Sequence, residues 1–324
     1  MRVLVVGGTG FIGGAVVRRL ATGGHDVAVF HRGERSAELP ASVEPLRGDR
    51  MRIAAHAGRL RAWKPEIVVD TIAFNEADVR GVVGVLRGIA RRLVVLSSLD
   101  VYRAYDRLTR AQPGPPDATP LREDAPLREL PFPRRRWASG PGDPAWDYDK
   151  LPVERAALSD PELPGTVLRL PAVYGPGDHL RHRVGRYVAR MDSGEETLDL
   201  DAAFARWRWT RGYVDDVADA IAIACVEPRA SGQAYNVGGA SPLREGEWVG
   251  AIARAAGYAG GIVERAREEL PEEVARELDG RDFAQDIVLD TSRIRDELGW
   301  RPRMPLEEGL EASVAWERGA ARSK

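Results

Sequence analysis

The chain has 324 residues, with 47 Lys+Arg against 49 Asp+Glu, a net charge of -2 and a hydrophobic fraction of 44%. These values are typical of a globular protein of one large or two modest domains, and they exclude a disordered chain. The single cysteine, Cys225, excludes an internal disulfide framework and a cysteine-rich zinc site. The near-neutral charge argues against a general nucleic-acid binder. With no apolar run long enough for a membrane span and no room for a signal peptide, we expect a cytoplasmic protein.

Short apolar runs alternate with helical patterns through the first hundred residues. The pattern predicts strands at 2–6, 26–31, 43–47, 67–71 and 93–97, and helices at about 11–21, 51–63 and 76–89. The strands are continuous rather than alternating apolar runs, as burial on both faces of a parallel sheet requires. Strand–helix alternation of this kind predicts an α/β fold with a doubly wound parallel Rossmann sheet.

The second half of the chain begins after a proline-rich stretch, 103–147, that has little periodicity. We predict that this stretch is an irregular loop, and a lid over a binding site is one role for it. Further on, the pattern predicts a strand at 166–170, a polar strand pair around 198–209 and helices after Lys150, near 181–191 and at 215–225, 245–256 and 306–318. We expect a dinucleotide-binding domain over 1–170, and over 171–324 a smaller, mostly substrate-binding α/β lobe, interleaved with the last sheet strands.

A glycine-rich loop joins the first predicted strand to the first predicted helix. Gly7 permits a tight turn, Gly10 lets a phosphate approach the backbone, and Gly13 allows close packing of helix and strand. The helix N-terminus adds unpaired N–H groups that favour a pyrophosphate. This strand–loop–helix context predicts dinucleotide binding, with the other loop residues Thr9, Phe11 and Ile12 also at the cofactor.

The end of the second strand bears on the choice of dinucleotide. An acidic residue there would bind the ribose 2′-OH of NAD, but the chain has no carboxylate at the expected place and has Arg32 instead. An arginine can bind a 2′-phosphate through a charge-assisted hydrogen bond, so we favour NADP over NAD. Asp49 is expected to reach the adenine amino group, with Arg50 nearby. Three residues that follow the fourth strand are expected along the middle of the cofactor: Thr71, Ile72 and Ala73.

Further motifs follow the glycine loop in chain order. They are SSLDVY at 97–102, Lys150 with Glu154, RLPAVYGPG at 169–177, RGYVDDVA at 211–218, YNVG at 235–238 and LGWRP at 298–302. In this order and spacing the sequence resembles the extended short-chain dehydrogenase/reductases, the NAD-dependent epimerase/dehydratase family. Within that family it is most similar to the branch of chloroplast stem-loop-binding and isoflavone-reductase-like proteins.

The resemblance implies a reaction centre made of a serine, a tyrosine and a lysine. It assigns the serine to Ser98 and the lysine to Lys150, and it places Ser97, Pro171 and Val173 with Lys150 along the cofactor. A lysine ammonium lowers the pKa of a neighbouring tyrosine, so that the phenol exchanges a proton with substrate. The chain has only three lysines, Lys64, Lys150 and Lys324, which supports a specific role for the one in this motif.

The tyrosine departs from the family pattern, in which it precedes the lysine by four positions. Trp146 occupies that position, and Tyr148 lies only two residues before Lys150. Pro152 is tolerated only in the first turn of a helix, so the helix is expected to begin near Lys150 and to leave Tyr148 in the preceding loop. Three interpretations stay open: Tyr148 is a displaced acid/base, Tyr102 or Asp100 replaces it, or proton transfer has been lost.

The remaining candidate residues are those expected to bind the substrate. The resemblance implies that Arg211 holds a substrate diphosphate, although strand-edge patterning explains it equally well. Asp100, Tyr102 and His179 are the other candidate substrate residues. We assign no metal, and we interpret the basic cluster at 134–136 as solvated.

Together these features predict an NAD(P)-dependent oxidoreductase, epimerase or dehydratase. Its substrate would be small and polar, with a nucleotide sugar as one candidate, and a homodimer is a further expectation from the resemblance. The alternative is a catalytically impaired Rossmann-type regulatory or RNA-associated protein that keeps the cofactor site.

Overall fold

The computed structural model describes residues 1–33 and 39–322, and eleven β-strands lie in that part of the chain. The strands are β1 (Arg2–Val6), β2 (Asp26–His31), β3 (Glu44–Arg47), β4 (Ile67–Asp70), β5 (Arg92–Ser98), β6 (Gly165–Leu170), β7 (Ala172–Tyr174), β8 (Thr197–Asp201), β9 (Arg211–Tyr213), β10 (Ala234–Asn236) and β11 (Gly261–Arg265).

Twelve α-helices accompany these strands in the described residues. They are α1 (Phe11–Thr22), α2 (Ala57–Ala62), α3 (Glu76–Leu86), α4 (Arg103–Leu108), α5 (Lys150–Leu158), α6 (Gly185–Asp192), α7 (Ala202–Arg206), α8 (Val214–Val226), α9 (Glu245–Ala256), α10 (Glu272–Glu277), α11 (Ser292–Leu298) and α12 (Leu306–Arg322).

Seven strands form one parallel sheet in the order β10-β6-β5-β4-β1-β2-β3. Successive residues of β1 point to opposite faces: Val5 packs in the cluster that contains α1 and α8, and Leu4 packs in the cluster that contains α3 and α5. Both faces are therefore buried, which explains the continuous apolar runs. The doubly wound Rossmann fold predicted from the sequence is confirmed.

The strand order reverses at β1, because the chain leaves β3 at the sheet edge and returns to β4 on the other side of β1. In doubly wound sheets, ligands bind at the carboxyl ends of the strands where the order reverses. The ends of β1 and β4 therefore mark the crevice in which a cofactor site is expected.

The second half of the chain contributes to the main sheet and also builds two small sheets. Strand β10 pairs with β6 in the main sheet, while β7 pairs with β9 and β8 pairs with β11. The division at residue 170 stays a prediction.

Three local predictions differ from the structure. The strand pair expected around 198–209 is instead β8 followed by α7, because the Asp201 carboxylate accepts the Phe204 N–H at 2.8 Å and caps a helix. The stretch 103–147 is not wholly irregular, since α4 opens it and buries Leu108. The helix expected over 51–63 is a 3-10 helix, Arg50–His56, followed by α2.

The described residues contain no helix that combines the length and the apolar character needed to cross a lipid bilayer. Within the same residues, no cluster of three or more His, Cys, Asp or Glu side chains is arranged to hold a metal ion.

Candidate active site

The glycine loop lies at the carboxyl end of β1, where its backbone faces the crevice. Gly7 has a φ of +87°, a conformation that side-chain-bearing residues rarely adopt. A Cβ on Gly13 would lie 2.4 Å from the Gly7 carbonyl oxygen, so only glycine lets α1 pack this close to β1. Gly10 is the N-cap of α1, whose first turn carries no acidic residue. The first N–H groups of the helix therefore offer a site that suits a pyrophosphate.

Basic groups gather at the carboxyl ends of β2 and β3, where the adenosine end of a dinucleotide would lie. His31 and Arg47 are paired in register, and a Cβ on Gly33 would lie 3.6 Å from Arg47 Nε. The His31 ring nitrogens are buried without a hydrogen-bond partner among the described residues, and burial together with the Arg47 charge lowers the pKa of His31. Arg32 follows His31 directly in the chain. His31 and Arg47 were not anticipated from the sequence.

Asp49 and Arg50 lie beyond β3 and have protein partners of their own. The Asp49 carboxylate accepts the Met51 N–H at 3.0 Å and caps the 3-10 helix. Arg50 makes two hydrogen bonds of 2.9 Å to the Asp70 carboxylate at the end of β4. Arg50 thus ties the adenosine side of the crevice to β4, and the placement of Asp49 and Arg50 at the adenine stays a prediction.

Lys150 is the first residue of α5 and reaches back across the ends of β4 and β5. It is 5% exposed, and its Nζ donates to the carbonyl oxygens of Ala73 at 2.5 Å and Leu96 at 2.8 Å. An ammonium has three N–H donors, and these two bonds use two of them. Desolvation by burial lowers the pKa of Lys150 to about 8, against the opposing effect of the Asp100 charge.

The residues after β4 form the wall between Lys150 and the glycine loop. The Thr71 hydroxyl donates to the Val6 carbonyl at 2.9 Å, and the side chains of Thr71 and Ile72 fill the space beside Gly7. Ala73 supplies the carbonyl that holds Lys150. The structure therefore brings these three predicted cofactor residues together between the phosphate loop and the lysine.

Tyr148 precedes α5 in a loop, as Pro152 led us to expect, because Asp149 caps the helix by accepting the Leu151 N–H at 3.2 Å. The buried Tyr148 hydroxyl donates to Asp100 Oδ2 at 2.9 Å, and the Ser98 side chain lies close enough to act on the phenol. Lys150 Nζ lies 5.6 Å from the centre of the Tyr148 ring. The structure thus brings Ser98, Tyr148 and Lys150 into one cluster, whereas Trp146 is partly exposed in the loop.

The charges and hydrogen bonds around Tyr148 and Asp100 bear on the chemistry of this cluster. Burial, and then the Asp100 charge, raise the pKa of the Tyr148 phenol well above its ordinary value. Asp100 Oδ1 is buried without a hydrogen-bond partner among the described residues. A side chain from the predicted loop also reaches the cluster, since Arg134 donates to Asp100 Oδ2 at 2.7 Å. The sequence had suggested only a solvated basic cluster there.

Ser97 and Tyr102, two other candidates from the SSLDVY motif, belong to a buried network instead. Ser97 donates to Glu154, whose carboxylate is paired with Arg169 at 2.8 Å. The fully buried Tyr102 hydroxyl accepts from Arg169 at 2.9 Å and donates to Asn236 at 2.7 Å. Burial raises the pKa of Tyr102 to about 12. This placement ties β5, β6 and β10 together and does not favour Tyr102 as a substitute acid/base or a substrate ligand.

Arg211 lies at the start of β9, and its guanidinium is engaged by the protein. It is buried, forms an ion pair with Glu245 and lies over the Trp248 ring at 4.4 Å. Burial lowers the pKa of Arg211. The ion pair with Glu245 therefore competes with the diphosphate-binding role that the resemblance implies.

Arg183, which the sequence analysis missed, lies beside this group. Its Nε donates to the Val173 carbonyl at 3.0 Å, its guanidinium lies 5.1 Å from the Trp209 ring, and it has no ion-pair partner among the described residues. Burial, with added repulsion from Arg181, Arg186 and Arg211, lowers its pKa to about 10. Burial, together with the charges of Arg186 and Arg136, likewise lowers the pKa of Arg281. No motif marks these arginines, because they lie on separate segments of the chain.

The other predicted residues are His179, Pro171 and Val173, which lie near β7 in the chain. His179 is exposed, and its Nδ1–H donates to the Gly177 carbonyl at 2.7 Å. Pro171 and Val173 are buried beside β7, and a Cβ on Gly212 would contact Pro171 at 3.0 Å.

Comparison with known proteins sets this site in a family. The model of the NAD dependent epimerase/dehydratase family matches residues 3–238. The chain belongs to this family. Its description names NAD-dependent chemistry, so a nicotinamide dinucleotide is the class of cofactor, and the activity is of the oxidoreductase type at the level of the family.

Individual relatives within the family act on different compounds. The chain is 30% identical over 249 residues to the 2′-dehydrokanamycin reductase of Streptomyces kanamyceticus, a match that covers 75% of the chain but less than two thirds (63%) of that reductase. It is 29% identical over 351 residues to the UDP-glucose 4-epimerase of Mycolicibacterium smegmatis, and the match covers 99% of this chain and 100% of the epimerase. A chloroplast stem-loop binding protein of Arabidopsis thaliana is also a relative, at 23% identity over 345 residues.

The fold agrees with solved structures of this family. The dTDP-glucose 4,6-dehydratase of Bacillus anthracis, solved with NAD, superposes with a TM-score of 0.74 at 19% identity, covering 99% of this chain and 98% of the dehydratase. At this identity the likeness concerns the fold. The family resemblance seen in the sequence is confirmed, and the substrate has to be argued from the site itself.

Proposed function

We propose that this family member is an NADPH-dependent reductase that adds hydride to a carbonyl carbon of a small anionic substrate. The observation that carries the proposal is the cluster of Ser98, Tyr148 and Lys150 at the carboxyl ends of β4 and β5, beside the glycine loop. A phenol, a hydroxyl and an ammonium held together in this way suit proton transfer to an oxygen atom.

The reduction follows from what each side chain can donate. When bound, the reduced nicotinamide supplies the hydride that forms the new C–H bond. Tyr148 gives its phenolic proton to the carbonyl oxygen, so that C=O becomes CH–OH and the phenolate later regains a proton from water. Ser98 orients the same oxygen by hydrogen bonding, and the Lys150 ammonium stabilises the phenolate.

The protonated state of Tyr148 suits this direction. A phenol that holds its proton at neutral pH has a proton to give to a carbonyl oxygen, whereas oxidation of a hydroxyl would require the phenolate as a base. Burial and Asp100 both keep the phenol protonated. The reductive direction is therefore proposed over epimerisation and dehydration.

The proposed preference for NADPH rests on the basic groups at the ends of β2 and β3. Arg32, His31 and Arg47 surround the place expected for the ribose 2′ position, and Arg47 has no carboxylate partner among the described residues. A 2′-phosphate could accept charge-assisted hydrogen bonds from the Arg47 guanidinium there, which a 2′-hydroxyl cannot match.

The proposed substrate class rests on the arginines at the other end of the crevice. Arg183 is half-buried without an ion pair in the described part of the chain, and the attraction of Asp178 is opposed by the charges of Arg181, Arg186 and Arg211. Arg186 is itself paired with Glu245, and Arg136 and Arg281 lie near it. Buried cations are usually paired, so an anionic ligand fits this region. A nucleotide sugar with a keto group combines the required diphosphate and carbonyl, and is the class we propose.

The test is reduction of dTDP-4-keto-6-deoxyglucose, with the free keto sugar as the uncharged control. We expect NADPH absorbance to decrease with the nucleotide sugar and hardly at all with the free sugar. Tyr148→Phe should lower the rate at least about 100-fold while the protein still binds NADPH, and Lys150→Ala should abolish the reaction. Absence of NADPH binding in calorimetry, or equal turnover in both variants and the wild type, would refute the proposal.

The alternative of a catalytically impaired binding protein depended on Trp146 at the expected tyrosine position. Because Tyr148 reaches Ser98 from the preceding loop, that substitution no longer argues for a lost proton donor. A homodimer stays a prediction.

A further inference from the structure

The loop that precedes α5 contains a stretch, residues 127–137, which we call the strap. Arg128 in the strap is buried, and its N–H donates to the Val101 carbonyl at 2.9 Å while its Nε donates to the Asp100 carbonyl at 3.0 Å. Arg128 also pairs with Asp149, and the Phe132 N–H donates to the same carboxylate at 3.1 Å. The strap is thus fastened both to the turn after β5 and to the N-cap of α5.

These attachments place Arg134 directly on the reaction centre. Its terminal nitrogen Nη2 donates to Asp100 Oδ2 at 2.7 Å, the same oxygen that accepts the Tyr148 hydroxyl at 2.9 Å. Its guanidinium carbon lies 3.8 Å from the centre of the Tyr148 ring, closer than Lys150 Nζ at 5.6 Å. The Arg134 side chain is 29% exposed, so solvent screens its charge only in part.

This arrangement answers a problem that the buried carboxylate creates. When Tyr148 gives up its proton, a phenolate forms next to Asp100, and the two negative charges repel each other. Lys150 alone would have to offset both charges. Arg134 hydrogen-bonds to the carboxylate and stacks on the phenol, so it opposes the repulsion at both groups.

We propose that Arg134 is a positioning residue that serves as the second cation of this reaction centre: it holds Asp100 against Tyr148 and stabilises the phenolate left by proton transfer. The proposal rests on the reductase function proposed above. It assigns a role to the strap, whose basic residues would otherwise form a solvated surface. It also links that role to the shift of the tyrosine from position 146, where the family pattern has it, to position 148.

The test compares Arg134→Met and Arg134→Lys with Arg135→Met as the matched control. Arg135 lies in the same strap, but it stacks on Phe132 at 3.7 Å and pairs with Asp147. In single-turnover reduction of dTDP-4-keto-6-deoxyglucose, we expect Arg134→Met to lower the rate about 30-fold, the value of one desolvated cation–π contact. Arg134→Lys should recover part of the rate, and NADPH affinity and melting temperature should match those of Arg135→Met.

A second readout does not require turnover. With ¹³C-labelled lysine, the chain gives only three ε-carbon signals, and Lys150→Ala assigns the buried one. The charges that act on Lys150 are Asp100, Asp70, Arg134 and Asp78, and Arg134 lowers its pKa. The midpoint near pH 8 should therefore rise in Arg134→Met and stay unchanged in Arg135→Met.

The outcomes separate the two proposals. If Arg134→Met behaves as Arg135→Met in either readout, Arg134 is not the second cation. If the wild type reduces none of the probes, the proposed function fails, and the lysine titration still decides whether Arg134 acts on the centre.

Discussion

Arg47 offers a direct test of cofactor choice, because it can be changed without touching the reaction centre. The guanidinium is exposed, has no carboxylate partner among the described residues and lies next to Gly33 and His31 at the end of β2. A hydrogen bond between charged groups contributes about 1.5–3 kcal/mol, and exposure favours the lower end of that range. Arg47→Gln should therefore weaken NADPH binding about tenfold, since each 1.4 kcal/mol corresponds to a factor of ten.

NADH lacks the 2′-phosphate, so the affinity of Arg47→Gln for NADH should stay within about twofold of the wild-type value, a change far smaller than the tenfold loss that corresponds to 1.4 kcal/mol. Calorimetric titration of both cofactors measures the two affinities without a substrate. Arg52→Gln is the control, because Arg52 is an exposed arginine on the neighbouring 3-10 helix. Equal weakening of NADPH and NADH, or the same effect in both variants, would show that Arg47 acts through general charge and that no 2′-phosphate lies there.

Three further predictions concern the reaction centre and the phosphate loop. Tyr148→Phe should lower turnover at least about 100-fold without changing NADPH affinity, because it removes only the hydroxyl that gives the proton. Turnover should fall as the pH rises through about 8, where the Lys150 ammonium loses its proton. Because the Asp100 charge raises the pKa of Lys150, Asp100→Asn should move the midpoint of the pH–rate profile to lower pH. Gly13→Ala should abolish cofactor binding in calorimetry and lower the melting temperature, because its Cβ would overlap the Gly7 carbonyl at 2.4 Å. An unchanged midpoint in Asp100→Asn, or normal binding by Gly13→Ala, would contradict these assignments.

The parts of the site that were predictable from the sequence are those set by local chain geometry. The glycine loop follows from the spacing of three glycines between a strand and a helix, and Pro152 indicated that α5 begins at Lys150. Long-range partners leave no such pattern. Arg134 meets an aspartate 34 positions earlier in the chain, across a stretch without periodicity. For the same reason the motif located Arg211 but gave no sign that Glu245 would pair with it.

The displaced tyrosine and the strap are best understood as one adaptation. Residues two apart on a regular helix point to nearly opposite sides, so Tyr148 has to reach Lys150 from the loop, which sets its hydroxyl against Asp100. Arg134 then offsets the carboxylate charge.

Arg134 and Asp100 should therefore be energetically coupled, and the double variant Arg134→Met/Asp100→Asn should be faster in single turnover than Arg134→Met alone. The double variant lacks the uncompensated carboxylate that slows phenolate formation in the single one. The matching background is Asp100→Asn alone. If the fold-changes in rate of the two single variants multiply to give that of the double variant, Arg134 and Asp100 act independently. The strap would then have no electrostatic part in proton transfer.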